Sequence, residues 1–474
     1  MTKIIVFFIA LTLMLVPAHT TQAATFNVCT LAELTTAITT ANGNGQADTI
    51  NFNCSTTLNF TAQLVIEADG GNSLTINANG NAVILDGGDS TRLFTVNAGA
   101  SLTLNGLTLQ DGNATDGGAI YNSGTLSISN STLSDNSAGL GGAIWSNGTL
   151  SISTSTLSDN STTGSGGAIY NSNASLTISN SAISNNSVVE YGGAIYNFNA
   201  SMTISNSAFT INSAGFSGGA IYNRGTMTIS TSIFTTNMAS FGGAILNDLS
   251  IMSISDSTLS GNTADDGGVI YNGDGAVTIN NSLVSGNSAS SGGVIYNTNA
   301  TVTINNSLVS GNSASSGGAI FNTFTSIANL NNSTLSGNSA SSGGAIYSTL
   351  NSTVNSQDTH YDGDATNNTC VVTIPIADNG GNTRINSMDC PGTAPIALDV
   401  SAVACNGDNA EFTINAGDAN FNITDTTAGV SITDTPAGLV TLTGPATWTN
   451  IRVTERRGER EFINIGGISC PEAV

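Results

Sequence analysis

Two aspartates occupy the same position in consecutive sequence repeats and are the first candidates for acid–base chemistry. Asp135 and Asp159 each follow a Leu-Ser pair and precede an asparagine. Stacked strands would place their backbones about 4.8 Å apart, near the separation of the two carboxylates in a retaining glycosidase. The equivalent position in later repeats holds Asn185, Ile211 and Thr236. Because that mixture is typical of a turn, we predict turn residues and keep hydrolysis as the alternative.

The sequence contains even fewer residues that could catalyse the lyase reaction on acidic sugars. Such enzymes need a strong base and cationic groups that bind the substrate carboxylate. Between residues 71 and 355 the basic side chains are Arg92 and Arg224, several repeats apart, with no lysine or histidine. The pair Asp265-Asp266 stands alone in a loop. The sequence therefore predicts no catalytic residues and no cofactor.

One acidic stretch has the alternation of a calcium loop. Asp362 and Asp364, together with His360 and Asn367, place oxygen-bearing side chains at intervals that could bind Ca²⁺. A polar surface loop explains the same residues more simply. We predict no metal site, and the two aspartates are the candidates if one exists.

The six cysteines predict disulfide bonds rather than zinc ligands, because no Cys-x-x-Cys spacing is present. They are Cys29, Cys54, Cys370, Cys390, Cys405 and Cys470. Pairing in chain order, as 29–54, 370–390 and 405–470, is one of about fifteen possible sets. Disulfide bonds indicate an exported protein in an oxidising compartment.

These residues lie on or beside a regular repeat. A Gly-Gly pair recurs ten times, at spacings of 24 to 26 residues. Each unit contains three short runs that alternate apolar and hydroxylated side chains, joined by turns too short for a crossover helix. A period of this length predicts an all-β parallel β-helix solenoid with one coil per repeat. The pairs begin at Gly117, Gly141, Gly166, Gly192, Gly218, Gly242, Gly267, Gly292, Gly317 and Gly343.

Asparagine and glycine mark the predicted turns. We expect the Gly-Gly pair to form the sharpest bend, where a Cβ is not tolerated. We expect the asparagine that follows the third strand to adopt the left-handed conformation and to hydrogen-bond its copies in a ladder. This column contains Asn136, Asn160, Asn186, Asn212, Asn237, Asn262, Asn287, Asn312 and Asn338.

An aromatic column is the candidate binding surface. The residue after the invariant isoleucine is aromatic in nine of ten repeats, and strand alternation places it outside. Such a stripe would suit sugar rings or a partner protein; the alternative is that the rings only stack on each other. The candidate ligand-binding residues are Tyr121, Trp145, Tyr170, Tyr196 and Tyr222, and the column continues with Leu246, Tyr271, Tyr296, Phe321 and Tyr347.

The repeat resembles that of the chlamydial polymorphic outer membrane proteins, in which Gly-Gly-Ala-Ile is followed by Phe-x-x-Asn. Phe209-Thr210-Ile211-Asn212 and Phe234-Thr235-Thr236-Asn237 match that pattern fully. The start, Cys29-Thr30-Leu31-Ala32-Glu33, is similar to the CSLREA-type N-terminal region of bacterial β-helix proteins, and departs from it at Ala32 and Leu34. These resemblances imply a right-handed, pectin-lyase-like β-helix on an exported or surface protein. They carry no catalytic residues.

The N-terminus has the features of a secretory signal peptide at residues 1–23. Lys3 precedes an apolar run, and Thr21-Gln22-Ala23 is a small-residue cleavage site. An amphipathic helix from Cys29 to Asn42 follows, in which Thr30 and Glu33 form a capping box. No apolar run after the signal peptide reaches transmembrane length.

Composition shifts divide the mature chain into four parts. An N-terminal cap spans 24–70, the parallel β-helix 71–356, a closing segment 357–395, and a small β-sandwich-like domain 396–474.

The overall balance of features predicts an extracellular or cell-surface protein. The net charge of −23 argues against nucleic acid as a partner, whereas polysaccharide and surface proteins remain as partners. A ladder nearly free of catalytic side chains favours a non-enzymatic adhesin or structural protein. A polysaccharide-degrading enzyme is the alternative, on fold analogy alone.

Overall fold

The chain forms a parallel β-solenoid, as the repeat predicted. A computed structural model describes residues 23–349 and 351–362, and beyond them only short strand segments. Within the solenoid, each coil adds one strand to each of three parallel sheets, and the apolar core lies between the sheets.

The first sheet, sheet 1, contains fifteen strands. Leu126 and Ile128 point inward and are buried, and they align with Leu150 and Ile152 of the next coil. This is the predicted period-two alternation. The strands are Thr25–Val28, Asp48–Phe52, Ser73–Asn77, Ser101–Asn105, Thr125–Ser129, Thr149–Ser153, Leu176–Ser179, Met202–Ser205, Met227–Ser230, Ile251–Ser255, Ala276–Asn280, Thr301–Asn305, Ile327–Asn331, Thr353–Gln357 and Ala377–Asp378.

Sheet 2 buries one large side chain per coil through most of its length. Phe209 and Phe234 align in adjacent coils, and their rings stack at 4.7 Å. Its strands are Thr56–Asn59, Val83–Thr91, Thr108–Asp116, Thr132–Ser134, Thr156–Ser158, Ala182–Ser184, Ala208–Thr210, Ile233–Thr235, Thr258–Ser260, Leu283–Ser285, Leu308–Ser310, Thr334–Ser336, His360–Asp362 and Thr383–Ile385.

Sheet 3 carries the invariant isoleucine, which points into the core in every repeat. Its twelve strands are Leu64–Ile66, Phe94–Val96, Ile120–Asn122, Ile144–Ser146, Ile169–Ser172, Ile195–Phe198, Ile221–Arg224, Ile245–Asp248, Ile270–Gly273, Ile295–Thr298, Ile320–Thr323 and Ile346–Ser348. Short strands pair between sheets 2 and 3 at Ser137–Leu140, Ser161–Thr162, Ser187–Val188, Ser213–Ala214, Ser313–Ser316 and Ser339–Ser342.

The turns correct one expectation about asparagine. Asn136 and its copies are buried and form the predicted ladder, in which Asn136 Nδ2 donates to Asn160 Oδ1 at 3.0 Å. The left-handed conformation falls instead on the preceding residue, with φ of 58° at Asp135 and 60° at Asp159. The prediction of a left-handed asparagine was wrong because the amide must point inward to reach its copies.

The Gly-Gly bend forms as expected. Gly117 has a φ of 60°, and a Cβ on Gly118 would collide with the backbone of the next coil. Glycine is therefore required at the second position by close approach, and at the first by both conformation and close approach.

A helix at Leu31–Ala41 covers the N-terminal end of the core. Thr30 and Glu33 form the predicted capping box. The buried residues are Leu34, Ala37, Ile38 and Ala41, whereas Leu31 is partly buried. The disulfide Cys29–Cys54 fixes the chain immediately before this helix to the first coil.

Parallel pairing extends beyond the expected β-helix limits of 71 and 356. Asp48–Phe52 pairs with Ser73–Asn77, and His360–Asp362 pairs with Thr383–Ile385. The N-terminal region is therefore continuous with the ladder.

The C-terminal strands pair antiparallel in two four-stranded sheets and one two-stranded sheet. They are Asp399–Val400, Ala404–Asn406, Asn409–Asn415, Asn420–Asp425, Val430–Pro436, Gly438–Leu442, Thr447–Trp448, Ile451–Glu455, Ile463–Asn464 and Ile468–Ser469. How the sheets pack lies outside the described residues, so the β-sandwich stays a prediction.

Several predicted features lie in parts of the chain that are not described. They are residues 1–22 of the signal peptide, the side chains of Asp362 and Cys405, and residues Asp364, Cys370, Cys390 and Cys470. In the described part of the chain, no helix is long and apolar enough to cross a membrane.

Candidate functional site: the aromatic face of sheet 3

Sheet 3 turns a continuous row of rings outward. Because Ile120 points into the core, its neighbour Tyr121 lies on the outer face, where it aligns with Trp145 of the next coil. All rings of this row are half-buried. We call the ten residues the aromatic row: Tyr121, Trp145, Tyr170, Tyr196, Tyr222, Leu246, Tyr271, Tyr296, Phe321 and Tyr347.

The rings stack on one another along the solenoid. Tyr170, Tyr196 and Tyr222 have centroid separations of 4.9 Å and interplanar angles of 14° and 15°. This spacing matches the roughly 4.8 Å between parallel strands. Closely stacked neighbours therefore cover each other's faces and turn an edge to solvent, whereas Leu246 interrupts the stack between Tyr222 and Tyr271. The rings therefore stack on each other, which was the alternative to a binding surface in the sequence-based interpretation of this column.

Burial in the stack changes the acidity of the tyrosines. Loss of solvent raises the pKa of Tyr271 to about 12, with the neighbouring Tyr296 adding to the effect. The same cause raises the pKa of Tyr170, Tyr196 and Tyr296.

Arg92 covers the N-terminal end of the row. Its guanidinium lies 5.3 Å from the centroid of the Tyr121 ring. It donates to the carbonyl oxygen of Asp116 at 2.7 Å and to Oε1 of Gln63 at 3.0 Å. Burial lowers the pKa of Arg92, and the carboxylate of Asp116 acts in the opposite direction. Arg92 thus closes the exposed face of the first ring.

Arg224, the other cation expected from the ladder, belongs to a small polar cluster on the same face. Its Nε lies 3.2 Å from Oδ2 of Asp248, and its guanidinium lies 5.7 Å from the Phe198 ring. The hydroxyl of Tyr222 also donates to Asp248 Oδ2, at 3.2 Å. Burial, with the negative charge of Asp248 as a second cause, raises the pKa of Tyr222. Each arginine therefore packs against aromatic rings of sheet 3. The two lie in different coils, too far apart to act on one substrate group.

A second group of apolar residues lies beside the row, at the turn between sheets 2 and 3. The ring of Tyr191 contacts that of Tyr222 at 5.2 Å, Phe216 contacts Tyr191 at 5.9 Å, and Phe241 contacts Tyr271 at 5.6 Å. Val189 and Met238 lie in the same turn, in the coils before and after that of Phe216. We call these five residues the apolar corner: Val189, Tyr191, Phe216, Met238 and Phe241.

Three side chains of the apolar corner are strongly exposed. The side chains of Val189, Phe216 and Met238 are 67%, 54% and 57% exposed. This group was not predicted from the sequence. A signal was available, because the residue before Gly-Gly is Ser or Asp in most repeats and becomes Tyr191 and Phe241 here.

The candidate hydrolytic carboxylates occupy turns. Asp135 and Asp159 are exposed and left-handed, and Asn185 Nδ2 donates to Asp159 Oδ1. Asp111 precedes them in the same column, and burial, followed by the charges of Asp86 and Asp89, raises its pKa. Positive φ is typical of turns, and Asp tolerates it better than most residues do. The backbone therefore agrees with the prediction that both aspartates are turn residues.

The remaining acidic candidates form no centre in the described residues. Asp266 is half-buried, and burial raises its pKa, with Asp265 as a further cause in the same direction. Among residues 23–349 and 351–362, no three His, Cys, Asp or Glu side chains are placed to bind one metal ion.

Comparisons with known proteins identify the repeat. A family model of the Chlamydia polymorphic membrane protein repeat matches residues 154–172 and 332–349. The chain therefore carries this repeat, as its sequence resemblance indicated. No curated protein matches the chain significantly.

Solved structures with related solenoids are similar only in part. An alginate lyase of family PL6 bound to a trisaccharide has a TM-score of 0.48 and 12% identity, covering 72% of this chain and 85% of that one. The receptor-binding domain of a siphovirus tailspike has a TM-score of 0.36 and 10% identity, covering 94% and 91%. Both scores are low, and these similarities carry no argument about function.

Proposed function

We propose that this solenoid is a non-enzymatic recognition protein, exported or held at a cell surface, which binds a protein partner through the apolar corner and the adjoining aromatic row. One observation carries the proposal. Val189, Phe216 and Met238 expose most of their apolar surface at the same turn of three consecutive coils, and the ring of Phe216 packs against those of Tyr191 and Phe241. Clustered exposed apolar groups with polar surroundings are typical of protein interaction sites.

The ring geometry favours a protein over a sugar as the ligand. Sugars bind aromatic side chains mainly through the ring faces, and most faces of the aromatic row are covered by neighbouring rings. Ring edges and the side chains of Phe216 and Met238 remain available. They suit the mixed apolar surface of a protein, in which Tyr, Phe and Met are enriched at contacts.

Charge around the corner restricts the partner further. Glu190 is exposed beside Val189, and Asp248 and Asp266 are partly exposed along the neighbouring row. The chain as a whole has a net charge of −23. A partner with apolar residues bordered by lysine or arginine would complement this surface, and its association rate would fall as salt is added.

An exported location agrees with three features. The predicted signal peptide directs export, the disulfide Cys29–Cys54 is stable in oxidising compartments, and the matched repeat is named for membrane proteins of Chlamydia.

A whole-cell binding assay tests the proposal. Fluorescently labelled mature protein is added to cells of the producing strain and of species that share its habitat. Portions of the cells are first treated with a protease, or with periodate to oxidise glycans. We expect binding that protease treatment removes and periodate leaves intact. Loss after periodate alone, or release of unsaturated or reducing sugars from polysaccharide, would contradict the proposal.

A further inference from the structure

A buried carboxylate near the N-terminus has only neutral partners. Asp48 is 2% exposed. Its Oδ1 accepts from the backbone N–H of Ala24 at 2.9 Å, and its Oδ2 accepts from Nδ2 of Asn44 at 2.7 Å. The one ion pair among residues 23–349 and 351–362 is Arg224–Asp248, far along the solenoid. Burying a charge without a counter-charge costs folding free energy. A cation next to Asp48 would therefore stabilise the folded chain.

Ala24 is also where strand pairing begins. Its carbonyl oxygen accepts from the N–H of Thr49 at 3.0 Å, and Thr25–Val28 then pairs in register with Asp48–Phe52. Ala24 is partly buried, whereas Ala23 is exposed. Among the described residues, backbone pairing is therefore first seen at the residue that follows the predicted cleavage site, Thr21-Gln22-Ala23.

We propose that the peptide bond between Ala23 and Ala24 is hydrolysed by a signal-type peptidase, and that the new α-ammonium of Ala24 forms a partly buried ion pair with Asp48. One water molecule is consumed. The leader leaves with a carboxylate on Ala23, and the nitrogen of Ala24 is protonated at neutral pH. This nitrogen already lies within hydrogen-bond distance of the carboxylate, so cleavage converts a neutral contact into a charge-assisted one.

The ion pair would couple export to completion of the fold. Thr25–Val28 is the edge strand of sheet 1, and the helix Leu31–Ala41 packs on it. Before cleavage, the edge strand is held by neutral bonds. After cleavage, the pair of Ala24 and Asp48 fixes the strand from one end, and the disulfide Cys29–Cys54 fixes it from the other.

The first test identifies the mature N-terminus. The full chain with its own leader is expressed in a secreting bacterial host, and the exported protein is sequenced from its N-terminus. We expect Ala24 as the first residue. Any other first residue overturns the proposal.

The second test measures the ion pair itself. Full-length mature chains that begin at Ala24, or at Ala23 with the ammonium displaced by one residue, are compared with Asp48 intact and with Asp48→Asn. Hydrogen exchange is measured at Thr49 and in Thr25–Val28. The extra residue should increase exchange about tenfold to a hundredfold when Asp48 is present, and by less than about twofold with Asp48→Asn. Equal effects in the two backgrounds overturn the proposal.

A matched control uses another carboxylate of the same region. Asp69 accepts from the backbone N–H groups of Gly45 and Gln46, both at 3.0 Å. The effect of the extra residue should persist with Asp69→Asn, and its disappearance there would overturn the assignment to Asp48. Should Asp48→Asn fail to fold, acetylation of the α-amine in the folded wild-type chain replaces it. Unchanged exchange after acetylation contradicts the ion pair.

Discussion

Asn186 and Asn212 are hydrogen-bonded to each other inside the solenoid, one coil apart. Nδ2 of Asn186 donates to Oδ1 of Asn212 at 3.0 Å, and the same oxygen accepts from the backbone N–H of Asn186 at 3.1 Å. Nδ2 of Asn212 donates in turn to the carbonyl oxygen of Ile183 at 2.9 Å. Both side chains are fully buried. The amide therefore joins neighbouring coils at a turn where the sheets do not.

Removal of one amide from this ladder should destabilise the protein strongly. Asn212→Ala leaves the backbone N–H of Asn186 without its acceptor in a buried turn, and removes one of the three acceptors of the Asn186 side-chain amide. We expect the free energy of unfolding to fall by roughly 3 kcal/mol, measured by urea denaturation. Thr203→Ala, at an exposed strand position of the same coil, is the control and should change stability by less than about 0.5 kcal/mol. Similar losses for both variants would contradict the ladder's role.

Glycines at two different turns separate the effect of close approach from that of backbone conformation. Gly193 lies in the Gly-Gly bend, and Gly286 lies in the left-handed column beside the asparagine ladder. Gly193 has ordinary φ, but an added Cβ would overlap the carbonyl oxygen of Gly219. Gly286 has a φ of 66° and no neighbouring atom within 4 Å of an added Cβ. We expect Gly193→Ala to prevent normal folding or to cost several times more than Gly286→Ala, which should cost about 1–2 kcal/mol. Thermal unfolding of both variants provides the comparison, and the reverse order would show that the contact is relieved easily.

The half-buried tyrosines of the aromatic row predict a loss of stability in alkaline solution. Their folded pKa values are raised, to about 12 for Tyr271, so the folded chain retains protons that the unfolded chain loses near pH 10. Their contribution to stability is therefore fully present below about pH 10 and is lost as the pH rises through the folded values. Urea denaturation across this range should show a falling midpoint.

A double variant tests the assignment to the aromatic row. Tyr196→Phe with Tyr271→Phe retains the stacked rings and removes two ionising hydroxyls. We expect a shallower fall of the midpoint with pH than in the wild type, whereas Thr203→Ala should keep the wild-type slope. If the midpoint of the double variant falls with pH as steeply as that of the wild type, the alkaline sensitivity arises from groups other than these two tyrosines.

The disulfide Cys29–Cys54 should stabilise only the N-terminal coils. It closes a loop of 25 residues, for which chain entropy predicts a contribution of about 3 kcal/mol. In a solenoid each coil contacts only its neighbours. We therefore expect Cys29→Ser with Cys54→Ser to increase hydrogen exchange in Leu31–Ala41 and to leave Leu283–Ser285 unchanged. Uniform acceleration along the ladder would mean that the whole solenoid unfolds as one unit.

The coil and the positions that face its core could be predicted from the sequence, because the same weak pattern recurs in every repeat. Leu126 and Ile128 alone indicate one short strand, but their return in successive repeats fixes both register and facing. The helix was predictable for a local reason, the capping box of Thr30 and Glu33.

Two features were not predictable in the same way. The left-handed column holds Asp135, Ile211 and Gly286, so its conformation is set by the turn and not by one residue type. The apolar corner depends on turn length. Tyr191 directly precedes Gly-Gly and Phe216 lies one position earlier, so their contact appears only when the coils are stacked.

Binding by surface variants tests the central proposal most directly. Phe216→Ser with Met238→Ser removes two exposed side chains of the apolar corner, and Ile233→Ser with Leu283→Ser removes two exposed side chains from the outer face of sheet 2. Dissociation constants are measured on untreated cells. We predict at least about a tenfold weaker affinity for the corner variant and unchanged affinity for the sheet 2 variant. Equal affinity of the corner variant and the wild type would contradict a recognition surface at this corner.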